Sequence, residues 1–186
     1  MNTFARELEI YEVHPAVALI GENVAVLQSA QELLGRIDDA QYAGANGLPV
    51  ASGPGGHLRH CLDFYDSLLR GLPAMRVDYN DRERDERTSV DRRWAIARIE
   101  ATILALESLA APGPSAHLLV RGEGPDGGGD ATAWARSSVM RELQVLLSHT
   151  IHHFALVALV LRLQGIEPGA EFGVAPSTRA FWRTAG

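Results

Sequence analysis

The sequence predicts an all-α protein, a four-helix bundle with one short irregular or hairpin excursion before the last helix. Four long segments repeat apolar residues at helical spacing, Gly- and Pro-rich segments separate them, and the fourth segment is apolar almost all round. With 186 residues, of which 46% are hydrophobic, the chain is long enough to bury a substantial core. We expect residues 1–186 to form a single domain.

The first two helices are predicted over residues 13–42 and 55–71. Pro15 suits the first turn of the first helix, where no intrahelical partner exists for a backbone amide. Apolar residues then recur at helical spacing, at Val17, Ile20, Val24, Leu27, Leu33, Leu34 and Ile37. The breaker AGANGLPVASGPGG (43–56) separates this helix from the second, which ends at Gly71.

The third helix is predicted over residues 89–111, with Thr88 or Ser89 as its N-cap. It follows the charge run RVDYNDRERDERTSVDRR (76–93), which we interpret as a solvated loop. The helix stops before Pro112, because proline cannot continue it.

The excursion over residues 112–137 is predicted to be partly extended, because its two short arms flank the glycine-rich tip GPDGGGD (124–130). The fourth helix follows over residues 138–165, with Ser137 or Ser138 as N-cap and Gly165 as its end.

Composition excludes several classes of function. The formal net charge of −6 argues against nucleic acid as the main partner, because phosphate binding requires a basic surface. Cys61 is the only cysteine, so neither an internal disulfide nor a cysteine-rich zinc site can form. The first residues lack an apolar signal-peptide core, and the apolar run from Phe154 to Leu161 is too short to span a bilayer. We expect a soluble cytoplasmic protein that does not bind membranes.

Four histidines carry the best evidence about chemistry. His149 and His153 lie four residues apart on the fourth helix, so their side chains leave the same face about 6 Å apart along the axis. This spacing suits two ligands of one metal ion. His57 and His60 lie in GGHLRHCLDFYDSLL (55–69) on the second helix, and either can supply a third imidazole.

The competing interpretation is a hydrogen-bonded cluster of core histidines, because a buried imidazole without a partner costs roughly 1–3 kcal/mol. His152 points about 100° away from the face of His153, so we place it outside the ligand set. His14 and His117 lie in or near predicted loops and are expected at the surface.

Other familiar chemistries fit less well. The chain has no Walker A loop, no GxSxG elbow and no paired ExxH motifs of the di-iron bundles. Cys61 is interpreted as a buried structural thiol rather than a nucleophile. Glu142, two turns before His149, is interpreted as a dipole partner in the first helical turn, with a supporting or proton-transfer role near the metal as the alternative.

The histidine-bearing segments resemble those of the DinB/YfiT-like superfamily of metal-binding four-helix bundles. HTIHH (149–153) is similar to the HxxHH signature of that superfamily, and GHLRHCLDFYDSLL (56–69) to its segment with the third histidine. VDYNDRERD (77–85) and FGVAPST (172–178) are similar to segments of one bacterial branch. The resemblance covers nearly the whole chain.

The resemblance implies a metal bound by His149, His153 and a third histidine. We expect His60 as the third ligand, because the corresponding histidine of the superfamily opens an apolar stretch, as His60 does before Cys61 and Leu62. The implied cofactor is one divalent transition-metal ion, with Zn, Ni and Fe as candidates.

The resemblance also implies a metal-dependent enzyme acting on small molecules, such as an S-transferase using a low-molecular-weight thiol, or a related transferase or hydrolase. Alternatives are a metal-binding or stress-response module without turnover, and a structural bundle with hydrogen-bonded histidines. We also expect a homodimer, because the apolar fourth helix and the tail aromatics Phe172, Phe181 and Trp182 exceed what one small bundle can bury. The tail EFGVAPSTRAFWRTAG (171–186) has no helical period in our interpretation.

Overall fold

The computed structural model of the protein describes residues 15–44, 52–109, 116–122 and 134–185. In these ranges the chain is predominantly helical. The helices are α1 (Pro15–Leu34), α2 (Asp39–Ala43), α3 (Pro54–Gly71), α4 (Glu86–Val90), α5 (Arg92–Glu107), α6 (Val139–Leu163) and α7 (Pro176–Ala185). The strands are β1 (Arg76–Asp78), β2 (His117–Arg121) and β3 (Ala135–Ser138), and a 3-10 turn (Leu72–Ala74) follows α3.

The four long helices α1, α3, α5 and α6 pack around one hydrophobic core. α6 contacts α1 and α3, and α5 contacts the same two helices. The largest fully buried side chains include Tyr42, Tyr65, Phe154 and Leu27. Because α3 and α6 are direct neighbours, side chains on their facing surfaces meet, and these surfaces carry four of the histidines.

The first predicted helix, 13–42, is two helices in the structure. α1 ends at Leu34, a turn follows, and α2 begins after Asp38. The Asp38 carboxylate accepts from the backbone N–H of Gln41 at 2.8 Å, and the Gln41 side-chain oxygen accepts from the Asp38 N–H at 2.8 Å. This reciprocal capping box starts a new helix where the apolar period alone predicted a continuous one. Residues 13 and 14, and with them His14, lie outside the described residues.

The start of α3 explains two residues of the segment rich in glycine and proline, Pro54 and Gly55. Pro54 occupies the first helical turn, one residue before the predicted start at 55. A Cβ at Gly55 would clash with the backbone oxygen of Ser89 and lie 2.9 Å from the Tyr42 ring. Glycine is therefore required here because α3 begins in close contact with α4 and α2.

The charge run 76–93 is not a simple solvated loop. It contains β1, α4 and the first residues of α5. Asp85 caps α4 by accepting from Arg87 N–H at 3.1 Å, and Asp91 caps α5 by accepting from Trp94 N–H at 2.9 Å. The predicted N-cap at Thr88 or Ser89 is therefore wrong, because aspartates on either side of these residues supply the capping oxygens.

Part of the charge run is held by Arg98 of α5, in what we call the Arg98 cluster: Arg98, Asp63, Asp66, Asp85 and Thr88. The Arg98 guanidinium is only 13% exposed and lies 3.3 Å from the Asp63 carboxylate and 3.4 Å from that of Asp85. It also pairs with Asp66 and donates to Thr88 Oγ1 at 2.9 Å. The Arg98 guanidinium thus links α5 to α3, to α4 and to Asp85, the residue that caps α4.

The predicted excursion is partly extended, as expected. β2 pairs antiparallel with β3, with His117 opposite Ser138. The sequence did not indicate that β2 also pairs in parallel with β1, where Val77 lies opposite Val120. The tip 124–130 lies outside the described residues. His117 is exposed, as predicted, although it lies on a strand.

α6 agrees with the predicted fourth helix within two residues at each end. Ser138 caps it by accepting from Arg141 N–H at 3.2 Å, and Gly165, with a φ of +79°, follows its end. Among the described residues, α6 is the one helix long and apolar enough to span a membrane by length and composition. That evidence is weak, because the core helix of a soluble domain passes the same test, and α6 packs on α1 and α3.

The tail corrects the sequence analysis in one respect. Residues 176–185 form α7, where no helix was expected. The Phe172 ring is buried and stacks on Phe154, with ring centroids 5.0 Å apart. In contrast, Phe181 and Trp182 of α7 are 66% and 51% exposed.

Candidate metal centre

The facing surfaces of α3 and α6 bring four imidazoles together, a group we call the histidine cluster: His57, His60, His149 and His153. All four are half-buried. The spacing of four on α6 aligns its two rings on one face, as the sequence predicted. The structure also places both candidates from α3 in the cluster, because the first turns of α3 lie against the middle of α6.

Three of the imidazoles surround a common point. One ring nitrogen each from His60, His149 and His153 lies within 4.8 Å of the other two. The Nε2 atoms of His60 and His149 are 3.1 Å apart. The His153 ring centroid lies 4.6 Å from that of His60 and 4.5 Å from that of His149. Since Zn–N bonds measure about 2.0–2.1 Å, such a group can close around one ion by small side-chain movements.

His57 contacts the other three imidazoles of the cluster through His153. Its Nδ1 lies 3.1 Å from Nδ1 of His153, a hydrogen-bond distance, and the two ring centroids are 5.3 Å apart. His57 does not belong to the group of three whose nitrogens approach one another. The sequence left open whether His57 or His60 is the third ligand. In the structure both lie in the histidine cluster, but at two distinct positions.

His152, which the sequence analysis placed outside the ligand set, is exposed. Its ring centroid lies 5.3 Å from that of His153, almost perpendicular to it at 79°. It does not belong to the group of three nitrogens. His152 is therefore a matched control for experiments on the histidine cluster, since it has the same chemistry and a neighbouring position.

Burial favours the neutral form of two rings of the cluster, His153 and His57. Burial first, and then the neighbouring His149, His60 and His57, lower the pKa of His153 from 6.5 to about 3. Burial and then the nearby His152 lower the pKa of His57. A neutral imidazole has one nitrogen lone pair, which is the group that binds a metal ion.

An aromatic wall lies beside His60 and His149. The Phe64 ring centroid is 5.0 Å from that of His60 and 4.6 Å from that of His149. Tyr79 stacks on Phe64 at 5.2 Å, and the Arg82 guanidinium carbon lies 4.3 Å from the Phe64 centroid. Sequence analysis missed these three residues; the apolar face of α3 could have indicated Phe64, but Tyr79 and Arg82 lie in the charge run.

Glu142 holds the Tyr79 side chain of this aromatic wall by a hydrogen bond. It is 5% exposed and accepts hydrogen bonds from the Tyr79 hydroxyl at 2.8 Å and from Ser137 Oγ. Burial, and then the Glu142 carboxylate, raise the pKa of Tyr79, so this phenol stays protonated as the donor. Glu142 thus lies in the first turn of α6, as expected, and reaches the histidine cluster through Tyr79 and Phe64.

A buried polar ladder fixes how α3 and α6 align. Thr150 Oγ1 donates to the Tyr65 hydroxyl at 3.3 Å, and Tyr65 donates to Asn23 Oδ1 at 2.7 Å. The Asn23 amide donates to the backbone oxygens of Leu19 and Leu143 at 2.9 and 3.2 Å. Because Thr150 adjoins His149 in sequence, the ladder fixes the level at which the rings of α6 face those of α3.

Cys61 lies next to His60 in sequence but is buried in the core, with 1% of its surface exposed. Burial raises the pKa of its thiol to about 12. The thiolate is the nucleophilic form of cysteine, and this environment suppresses it. The structure therefore agrees with the interpretation of Cys61 as a structural thiol.

The described residues thus provide three imidazole nitrogens around one point, with Phe64 beside two of the rings and His57 beside the third. This donor set suits Zn, Ni or Fe, because imidazole binds all three as divalent ions. No protein-family profile, curated protein sequence or solved structure matches the chain.

Proposed function

We propose that this protein binds one divalent transition-metal ion through His60, His149 and His153 and uses it as a metal-dependent enzyme on small molecules. The observation that carries the proposal is the mutual approach of one ring nitrogen from each of the three side chains, within 4.8 Å. Three protein ligands leave coordination positions for water or substrate, which is the arrangement of catalytic rather than structural sites.

We also propose that the chain is a DinB/YfiT-like protein and that α1, α3, α5 and α6 form the four-helix bundle of that superfamily. Two observations support this: the contacts of these four helices with one another, and the HTIHH string on the helix that carries two of the three histidines. On this proposal the protein is cytoplasmic, and its reaction is a thiol-dependent S-transfer or a related transfer or hydrolysis.

The side chains have separate roles in this proposal. When bound, the ion supplies Lewis acidity that lowers the pKa of a bound water or thiol. His60, His149 and His153 provide neutral donors, so the site keeps a net positive charge that favours a thiolate or hydroxide. Phe64 and Tyr79 keep water away from one side and offer an apolar surface to a small electrophile.

Reconstitution tests the metal first. The purified wild-type protein is stripped with a chelator, loaded in turn with Zn, Ni or Fe(II), desalted and measured by elemental analysis. We expect one ion per chain for at least one metal. Protein that stays metal-free with all three metals contradicts the proposal. The four histidines are then a structural cluster, in which the two 3.1 Å nitrogen contacts are hydrogen bonds between half-buried rings.

Turnover tests the enzyme. The loaded protein is incubated with small electrophiles and a panel of low-molecular-weight thiols, and thiol consumption is compared with that of the chelator-treated protein. We expect turnover that requires both the ion and one thiol class. If the protein binds one ion per chain but turns over no combination of electrophile and thiol, the result supports a non-catalytic metal-binding or stress-response module instead.

We further propose that the protein is a homodimer. Leu159 and Leu163 of α6 and the aromatic residues Phe181 and Trp182 of α7 remain about half exposed or more. A second copy would cover these apolar side chains by an isologous contact. Sedimentation at micromolar concentration should give the dimer mass, and the double variant Phe181→Ser, Trp182→Ser should lower it to that of a monomer. A monomeric wild type contradicts the proposal.

A further inference from the structure

His57 lies in the first turn of α3, where the position of the backbone is set by close packing. Gly55, two residues earlier, lies directly against the backbone oxygen of Ser89. From this fixed position His57 points its Nδ1 at Nδ1 of His153, 3.1 Å away. The contact joins the two helices beside the group of three nitrogens formed by His60, His149 and His153.

The protonation of these two rings decides whether His153 can bind an ion. A neutral imidazole carries one N–H and one lone pair, so in a hydrogen bond between two Nδ1 atoms one ring donates and the other accepts. If His57 donates, His153 uses its only lone pair on His57 and carries its proton on Nε2. If His153 donates, its lone pair lies on Nε2. Only the second arrangement keeps the hydrogen bond and leaves His153 able to bind a metal ion.

We propose that His57 is a positioning residue that accepts the Nδ1–H of His153 and thereby holds His153 in the tautomer whose Nε2 binds the ion. This inference rests on the proposed metal site. Histidine ligands in metalloproteins commonly donate their second ring N–H to a carboxylate, a carbonyl or water, which fixes the tautomer and the ring orientation. In this protein a second histidine takes the place of that acceptor.

His57 and the ligands should differ in how strongly their removal weakens metal binding. Loss of an acceptor behind a ligand typically costs 10–100-fold in metal affinity, whereas loss of a ligand removes stoichiometric binding. We therefore expect His57→Ala to keep one ion per chain and to bind it 10–100-fold more weakly in a zinc competition assay with a chromophoric chelator. His152→Ala, the control, should bind like the wild type.

Two conservative variants test the acceptor itself. The side-chain oxygen of asparagine occupies the position of Nδ1 of histidine, whereas the amide of glutamine reaches only the position of Nε2. His57→Asn should therefore restore most of the affinity, and His57→Gln should behave like His57→Ala. If asparagine and glutamine restore affinity equally, or if His57→Ala binds zinc as the wild type does, the positioning role is wrong.

A spectroscopic signature completes the test. Long-range ¹H–¹⁵N correlation spectra of the zinc-loaded wild type should show His153 bound through Nε2 and protonated on Nδ1. His153 bound through Nδ1, or a zinc-bound His57, overturns the inference. If the wild-type protein binds no metal, the proposed function is wrong. If it binds one ion with an affinity that does not depend on residue 57, only the positioning role of His57 is wrong.

Discussion

Helix α3 contributes side chains to two polar clusters, and these accommodate burial in opposite ways. The Arg98 cluster contains formal charges, and one guanidinium at 13% exposure pairs with the carboxylates of Asp63, Asp66 and Asp85. The histidine cluster contains four imidazoles whose ring nitrogens lie 3.1 Å apart in two pairs, and burial lowers the pKa of His57 and His153. A charge network that supplies its own counter-ions has no need of a ligand, whereas a group of neutral donors gains from one. The first cluster therefore suits a role in stability, and the second suits the metal binding that we propose.

The largest expected effect is loss of the metal from the histidine cluster. His149→Ala or His153→Ala should abolish stoichiometric binding, because the two remaining imidazoles hold an ion poorly. Elemental analysis after reconstitution measures this directly. His152→Ala should keep one ion per chain. If His57→Ala loses the metal completely while His60→Ala keeps it, the third ligand is His57 and our assignment is wrong.

Removal of Arg98 should break the other cluster without touching the metal. Arg98→Met leaves the buried Asp63 carboxylate without its main cation, a change that typically costs about 3–5 kcal/mol. Urea unfolding at pH 8 should show a loss of this order. Zinc stoichiometry should remain at one under conditions where the variant is folded. Stability equal to that of the wild type would contradict a structural role for the cluster.

The pH dependence of stability should identify Asp63. Burial raises its pKa from 3.8 to about 6, against the opposing effect of Arg98. Well below pH 3.8 both folded and unfolded chains hold this proton; between pH 3.8 and 6 the unfolded chain releases it while the folded protein keeps it, which favours unfolding. The wild type should therefore lose stability between pH 4 and 6 relative to Asp63→Asn, by an amount on the order of 3 kcal/mol. Paired urea titrations at several pH values measure the difference, and a constant difference would exclude the raised pKa.

The smallest effect is expected from the ladder between α6 and α1. Tyr65→Phe removes the hydroxyl that accepts from Thr150 and donates to Asn23, at a cost of about 1–3 kcal/mol. Because the ladder aligns α6 with α3, zinc affinity should fall slightly as well. Thermal unfolding and zinc competition measure the two effects. Tyr42→Phe, which removes a buried hydroxyl bonded to the Thr88 carbonyl, is the control that should leave zinc affinity unchanged.

The sequence predicted the long helices well where packing and local preference agree. α6 keeps its bounds within two residues because its cap, its apolar residues and its final glycine indicate the same helix. The first helix was predicted too long, because Ile37 continues the apolar period although Asp38 starts a new helix. β1 was missed because a three-residue strand depends on pairing with β2, a partner more than forty residues away.

The candidate site also combines local features, which the sequence predicts, with features that depend on long-range contacts, which it does not. The spacing of His149 and His153 on one helix is a local property, so the sequence places both rings on one face. The alternative between His57 and His60 depends on where α3 begins relative to α6. That position is set by long-range contacts such as the Thr150–Tyr65 hydrogen bond, which no local pattern reveals. The tail aromatics were noted, but α7 was not, because its large apolar residues, Phe181 and Trp182, are adjacent and do not repeat at helical spacing.

The contact at Gly55 also determines which substitutions the protein tolerates. Any other residue would push against a backbone carbonyl, which cannot rotate away as a side chain can. In a library of variants selected only for correct folding, position 55 should therefore return glycine almost exclusively. A mutational scan would mark this position as intolerant although the glycine carries no side chain and takes part in no reaction. Intolerance near the histidines can thus reflect steric exclusion as well as chemistry, and scans of this protein need a folding readout beside the functional one.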